Sequence, residues 1–357
     1  MSSDPKTILR EIAHGARFEA ARFEAALDAM STEAATLAQK AAFLSLLRGR
    51  GETVDEITGA ARLLRSRMLR VEAPADAIDI VGTGGDGHGT YNISTAAAFV
   101  VAGAGVPVAK HGNRAVSSKS GASDVLAALG VAIDAPPATV SRAIGDAGVG
   151  FLWAPLYHPL MKVWAPVRAE LGFRTLFNLL GPICNPACVD RQVVGVFSRE
   201  WVRPVAETLL ALGSRHALVV HGSDGMDELT TTGASFVAEV NGGTNGGTNG
   251  GRITEYQIVS DDAGLPRATL ADLTGGDAAH NAAAMHALLD GAAGPYRDIV
   301  VLNAAAALMV AGKAETIAEG ARIAARSIDS GAAKAALNRL VAISTAAGST
   351  AAGSAPG

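Results

Sequence analysis

The sequence predicts an α/β protein in which a small all-helical domain precedes a larger domain, the larger one built on a mostly parallel central sheet flanked by helices. Three observations lead there. Residues 7 to about 70 carry helical periodicity and no strand pattern; beyond Ala77 short apolar runs alternate with helical stretches; and glycine-rich or polar turns follow those runs. Runs that are apolar on both faces and separated by helices are what a parallel sheet covered on both sides requires.

The elements can be justified in order. Ile8, Leu9 and Ile12, then Ala41, Phe43, Leu44 and Leu47, fall on helical faces, and Thr53-Val54-Asp55-Glu56 has the form of a capped helix start. Ala77 to Val81, Val106 to Ala109, Val193 to Phe197 and Ala217 to Val220 read as strands. Residues 165 to 180 turn helical again and end at Gly181-Pro182, so the segment 165–190 is expected to return to the helical domain. The division is therefore 1–75 for the helical domain and 76–164 with 191–343 for the α/β domain. The Asn/Gly/Thr repeat from Asn241 to Gly251 is expected to be an exposed flexible loop between strands, and the Ala/Ser/Gly tail 344–357 to be disordered.

Composition narrows the function. A formal net charge of −4 argues against a nucleic-acid binder, which needs a basic surface to offset phosphate repulsion, whereas local basic clusters within an acidic chain suit a small anionic ligand. The two cysteines, Cys184 and Cys188, cannot form a disulfide framework, and Pro186 between them spoils a metal-binding helical pair; buried free thiols are expected. No signal peptide and no bilayer-length apolar run are visible, which predicts a cytoplasmic protein with no membrane partner.

Three clusters carry the chemistry. Gly82-Thr83-Gly84-Gly85-Asp86 follows a strand, and Asn92-Ile93-Ser94-Thr95 opens the apolar helix 96–104. Glycine lets backbone approach a phosphate closely, while Asn92, Ser94 and Thr95 can cap a helix whose free N–H groups attract anions. An ordinary strand-to-helix turn would carry similar glycines, and the spacing fits neither the Walker nor the dinucleotide pattern. The second cluster places Lys110, His111, Asn113, Arg114, Ser117, Ser118 and Lys119 in one loop shaped by Gly112 and Gly121, which favours an anion site over a merely solvated loop. The third is Asp227-Glu228 after the strand 217–221. Alone these acids suit a helix N-terminus; beside a phosphate site they suit Mg²⁺, provided they lie on a turn, because adjacent strand residues face opposite ways.

Taken together, these motifs resemble the anthranilate phosphoribosyltransferase family. The resemblance spans about residues 7–340 and includes His158-Pro159, the run Ala165 to Gly172, Phe177-Asn178-Leu179-Leu180-Gly181-Pro182, Asn185-Pro186 and the three clusters above. It implies that Gly82, Gly85, Asp86, Thr90, Asn92, Ile93, Ser94, Thr95, Lys110, His111, Gly112, Asn113, Arg114, Ala115, Val116, Ser117, Ser118 and Ala122 surround phosphoribosyl pyrophosphate (PRPP). Ser94 would hold one Mg²⁺, and Asp227 with Glu228 a second. Gly82, Asn113 and Arg168 would receive anthranilate, with His111 and His158 nearby. Arginine is otherwise usually a surface residue, but a carboxylate substrate gives its planar guanidinium a specific task; His158 could equally be a packed structural histidine.

The implied reaction is attack of the anthranilate amine on C1 of the ribose, with inversion and loss of pyrophosphate. A neutral arylamine is already a nucleophile, so the residues align and balance charge, and no general acid or base is expected. The resemblance also implies a homodimer. Two rivals are a pyrimidine nucleoside phosphorylase-like enzyme, for which a pyrophosphate–metal site would be superfluous, and a noncatalytic nucleic-acid-binding relative, which the net charge disfavours.

Overall fold

The computed structural model describes residues 4–114, 119–243 and 250–351, with only the backbone described for 347–351. The expected ligand residues Ala115, Val116, Ser117 and Ser118, and most of the repeat, lie outside the described residues.

Four helices come first: α1 (Pro5–Ala13), α2 (Ala20–Met30), α3 (Leu37–Arg50) and α4 (Val54–Arg67). The capped start read from Thr53 is present, since Glu56 N donates to Thr53 Oγ1 at 3.2 Å and Thr53 N to Glu56 Oε2 at 3.0 Å. Glu56 is fully buried, and it is stabilised there by Phe18 N and an ion pair with Arg50 at 2.7 Å. A charge taken out of water must find such partners.

Among the described residues seven strands follow: β1 (Asp79–Gly82), β2 (Val108–Gly112), β3 (Val149–Trp153), β4 (Arg191–Gly195), β5 (His216–Gly222), β6 (Ser235–Asn241) and β7 (Arg252–Ile258). The main sheet has the order β1-β4-β5-β6-β7, with β2 and β3 paired separately and linked to it by a parallel Ile78–Val108 bridge. Pairings β1–β4, β4–β5 and β2–β3 are parallel; β5–β6 and β6–β7 are antiparallel. The parallel core is as expected, and the hairpin on one edge, whose loop holds the repeat, is the addition.

Alternate residues of the central strands serve two different cores. Val193, Leu218 and Val220 pack with α5 (Ile93–Gly103) and with later helices, whereas Val194, Ala217 and Val219 join the core of the helical bundle. The period of two in a strand covered on both faces produces this division. The apolar sequence of α5 has no polar face, consistent with its central burial. The remaining helices of the α/β layer are α6 (Ala122–Ala128), α7 (Pro137–Asp146), α8 (Ala154–Tyr157), α9 (Met161–Leu171), α10 (Phe177–Ile183), α11 (Val202–Ala211), α12 (Ala278–Leu289), α13 (Pro295–Val310), α14 (Ile317–Asp329) and α15 (Ala332–Ala351). Of these, α9 and α10 lie with the bundle. Trp164 on α9 is fully buried, tilts against Phe43 at 6.0 Å and Phe177 at 5.1 Å, and donates to Ser31 Oγ at 2.9 Å.

Three expectations need correction. The tail does not fray at Ser344, because α15 runs on to Ala351: alanine is the strongest helix former, and buried Ser344 accepts from Ala132 N at 3.1 Å, tying the helix end to the body. Cys184 is buried but Cys188 is exposed, held at φ 52° in the turn after Pro186. Asn92 precedes α5 without capping it; its side chain donates to Ser120 O at 3.2 Å and accepts from Asn281 Nδ2 at 3.0 Å.

Candidate active site

The parallel strands β1 and β4 end side by side, Gly82 opposite Gly195, and the chain carrying Asp227 passes directly over both. A Cβ at either glycine would collide with Asp227, so only glycine allows the acid to settle there. The turn beyond β1 then runs through Gly84, Gly85, Gly87 and Gly89, all at positive φ between 62° and 85°. Gly84 N donates to Asp227 Oδ2 at 2.6 Å, and Ser94 N at the start of α5 donates to Glu228 Oε1 at 3.2 Å. Asp227 and Glu228 lie on the irregular segment after β5, the placement that allows adjacent acids to converge.

Charge in this half of the site is unbalanced. Burial pushes Asp227 and Glu228 well above the usual carboxylate range, and repulsion adds to it, from Asp86 for the first and from Asp227 for the second. Lys110 is buried beside them, its Nζ donating to Ile80 O at 2.7 Å and to Ser94 Oγ at 3.3 Å, with burial holding its pKa down. Lys110 is thus bound to the protein's own groups rather than displayed on a loop. Arg114 is exposed, 5.6 Å from the Trp153 ring, and Lys119 and Asn113 are exposed too. Ile93 and Thr95 point their side chains into the core, so only their backbone can face a ligand. Thr90 is bridged to Thr274, and Ala122 opens α6.

Aspartate and glutamate oxygens with the Ser94 hydroxyl are a hard donor set, although among the described residues no group of three or more His, Cys, Asp or Glu converges closely enough to enclose an ion by itself, here or elsewhere. Such a set suits Mg²⁺, which keeps waters and takes substrate oxygens rather than filling its shell from protein. The excess negative charge of Asp86, Asp227 and Glu228 is a second reason the residues fit a cation.

A second half is built from β2 and the returning helices. His111 on β2 is buried, with Nδ1 2.9 Å from Gly181 O and Nε2 3.2 Å from His158 Nε2. Burial pushes His111 down to about 3 and His158 to about 4, so both rings are neutral at pH 7. The Gly181 carbonyl can only accept, so His111 carries its proton on Nδ1 and receives one hydrogen bond from His158 at Nε2. That assignment leaves His158 Nδ1 as a buried acceptor without a partner. Asp79 supports the pair from below, accepting from His111 N at 3.1 Å and from Asn185 Nδ2 at 2.7 Å. Arg168 stands on α9, half-buried and 5.6 Å from the Phe177 ring, and no carboxylate among the described residues pairs with it.

Gly82, Ser94, Lys110, Asp227 and Glu228 are therefore brought together, and His111 with His158, while Arg168 sits on a separate helix. Sequence reasoning missed Asp79, whose burial could not be seen from a strand start, and Arg174, whose Nη2 donates to Gly85 O and whose guanidinium lies 4.0 Å from the Phe197 ring centroid. It also missed the stack of Tyr91 on Tyr296 at 4.3 Å, which closes the site behind Asn92.

Residues 6–68 match the helical bundle domain of the glycosyl transferase family, and residues 74–334 match its a/b domain. An anthranilate phosphoribosyltransferase of Parvibaculum lavamentivorans is 59% identical over 95% of this chain and 97% of its own length. The crystal structure of the enzyme of that name from Thermus thermophilus superimposes with a TM-score of 0.87 at 43% identity, covering 95% of this chain and 99% of the other. The Saccharomyces cerevisiae enzyme, solved in complex with PRPP and Mg, gives 0.86 at 26% identity over 97% and 99%.

Proposed function

The chain belongs to the anthranilate phosphoribosyltransferases of the glycosyl transferase family, and from that premise we propose which of its residues carry each half of the reaction. The enzyme transfers the phosphoribosyl group of PRPP to the amine of anthranilate, giving N-(5-phosphoribosyl)anthranilate and pyrophosphate in L-tryptophan biosynthesis. The observation that carries the assignment of roles is the meeting of the glycine turn with Asp227 and Glu228 at the ends of β1 and β4.

PRPP lies along the glycine turn. Gly82, Gly85 and Asp86, the backbone from Asn92 to Thr95, Thr90, and the Lys110–Arg114 segment form its walls, and Ala122 its far edge. Asp227 and Glu228 would hold one Mg²⁺ and Ser94 another; bound there, the ion would supply Lewis-acid stabilisation of the leaving pyrophosphate. Lys110, fixed by Ile80 O, adds a positive charge that needs no reorganisation as charge develops. Gly82 and Asn113 flank anthranilate, and Arg168, with no competing acid, takes its carboxylate. His111 and His158, both neutral, present an uncharged wall to the aromatic ring, and neither is needed to remove a proton before attack. The enzyme is read as a cytoplasmic homodimer joined through the helical bundle; exposed Leu37 and Leu69, 54% and 53% accessible, support that reading, and sedimentation measures it.

The deciding experiment follows anthranilate fluorescence. Consumption that requires both PRPP and Mg²⁺ is expected; turnover of uridine or thymidine with phosphate instead would overturn the assignment.

A further inference from the structure

The loop between α9 and α10 holds a cation that the roles above leave unused. Arg174 is half-buried there; its Nη2 donates to the carbonyl of Gly85, and its guanidinium carbon lies 4.0 Å from the centroid of Phe197, just beyond β4. A planar guanidinium resting on an aromatic face keeps a fixed direction, and a charged donor makes a strong anchor for a carbonyl.

The anchored carbonyl belongs to the most adaptable backbone in the site. Gly84 and Gly85 sit at φ 71° and 74° and bring no side chain to fix the peptide that joins Gly85 to Asp86, whose carboxylate accepts from His88 N at 3.1 Å further along the turn. A trans peptide is planar, with the C=O of one residue antiparallel to the N–H of the next. Pinning Gly85 C=O toward Arg174 therefore pins Asp86 N–H to the opposite side of the turn. Arg174 lies six positions after Arg168, in the loop that leaves α9, so the anchor links the helices of the aromatic half to the turn of the phosphate half.

We propose that Arg174 is a positioning residue: stacked on Phe197, it pins the Gly85–Asp86 peptide so that the Asp86 N–H is presented to the phosphate groups of PRPP. This rests on the reading of the glycine turn as the PRPP pocket.

The test is PRPP affinity by calorimetry with Mg²⁺, alongside steady-state KM and kcat for both substrates. Arg174→Ala is expected to raise the Kd and KM for PRPP about tenfold, the effect of one lost charged hydrogen bond, while KM for anthranilate stays within about twofold and kcat is largely kept. Arg174→Lys, which can still donate to the same carbonyl, recovers part of the loss. Phe197→Leu removes the platform but not the donor and gives a smaller rise in the same direction; it serves as the readout should Arg174→Ala fail to fold. Unchanged PRPP affinity in Arg174→Ala, or parallel losses for both substrates with no recovery by lysine, would overturn the proposal. Wild-type protein that does not bind PRPP at all would instead overturn the pocket reading, whatever the variants do.

Discussion

The two halves of the site solve the problem of burial in opposite ways. On the phosphate side, Asp227, Glu228 and Lys110 are ionisable groups held out of water at close quarters, with pKa values displaced by burial and by one another. On the aromatic side, His111 and His158 have given up their charge and share hydrogen bonds instead, leaving Arg168 as the sole cation assigned to the substrate there. The difference teaches that the first half is incomplete without its ligands, which bring divalent charge and phosphate oxygens, whereas in the second half Arg168 alone still lacks a counter-charge. Low dielectric makes a paired charge strong and an unpaired one costly, so the phosphate half has most to gain on binding.

The sharpest way to break this comparison is to remove charge from the first half. Asp227→Asn with Glu228→Gln should reduce Mg²⁺-dependent turnover on the order of 10²- to 10³-fold, since metal stabilisation of a leaving group is worth several kcal/mol. Retained turnover with unchanged Mg²⁺ dependence would remove the pair from the site. Next in size, Arg168→Ala should weaken anthranilate binding by about 1.5–3 kcal/mol and leave PRPP binding alone; a comparable loss for both substrates, read by titration of each, would contradict a role confined to the aromatic half.

A smaller effect sharpens the contrast through pH. For an acid whose folded pKa is raised, stability is greatest below the unfolded value, 4.5 for Glu228, and is lost as pH climbs to the folded value of about 8. Metal-free protein should therefore lose melting temperature across that window, and Glu228→Gln should flatten the slope. The lowered histidines work in the opposite direction and at lower pH: with folded pKa values of about 3 and 4 against 6.5 when unfolded, they cost stability as pH falls below that unfolded value, and their contribution is constant above pH 7. A slope in metal-free protein that survives Glu228→Gln unchanged would show that other groups set it. Least of all, shortening the Asn245–Gly250 repeat should leave kcat and both KM values within about twofold; a large loss would tie that loop to the reaction.

Much of this arrangement was legible in the chain because the signals are local. Thr53 and Glu56 announce a helix start three residues apart, the apolar runs around Ile80, Val193 and Val219 announce buried parallel strands, and the glycine turn needs no tertiary knowledge to be suspected. What was hidden depends on approach from far along the sequence. Asp79 reads as an unremarkable polar residue until Asn185 and His111 N are brought to its carboxylate. Arg174 reads as a surface arginine until β4 delivers Phe197 beneath it. Lys110 reads as a loop residue, yet it lies on β2, where its Nζ is bound to Ile80 O and Ser94 Oγ. At the C-terminus, small-residue composition suggests disorder from Ser344 on, but α15 continues to Ala351, with buried Ser344 accepting from Ala132 N.

The unequal fates of the two cysteines have a practical result. Burial pushes the Cys184 thiol up to about 12, which keeps it protonated and unreactive toward electrophiles at neutral pH, while Cys188 stands in solvent on the turn that follows the aromatic-half helices. A maleimide dye would accordingly attach at one defined place, giving a spectroscopic reporter on the seam between bundle and sheet without any engineered thiol.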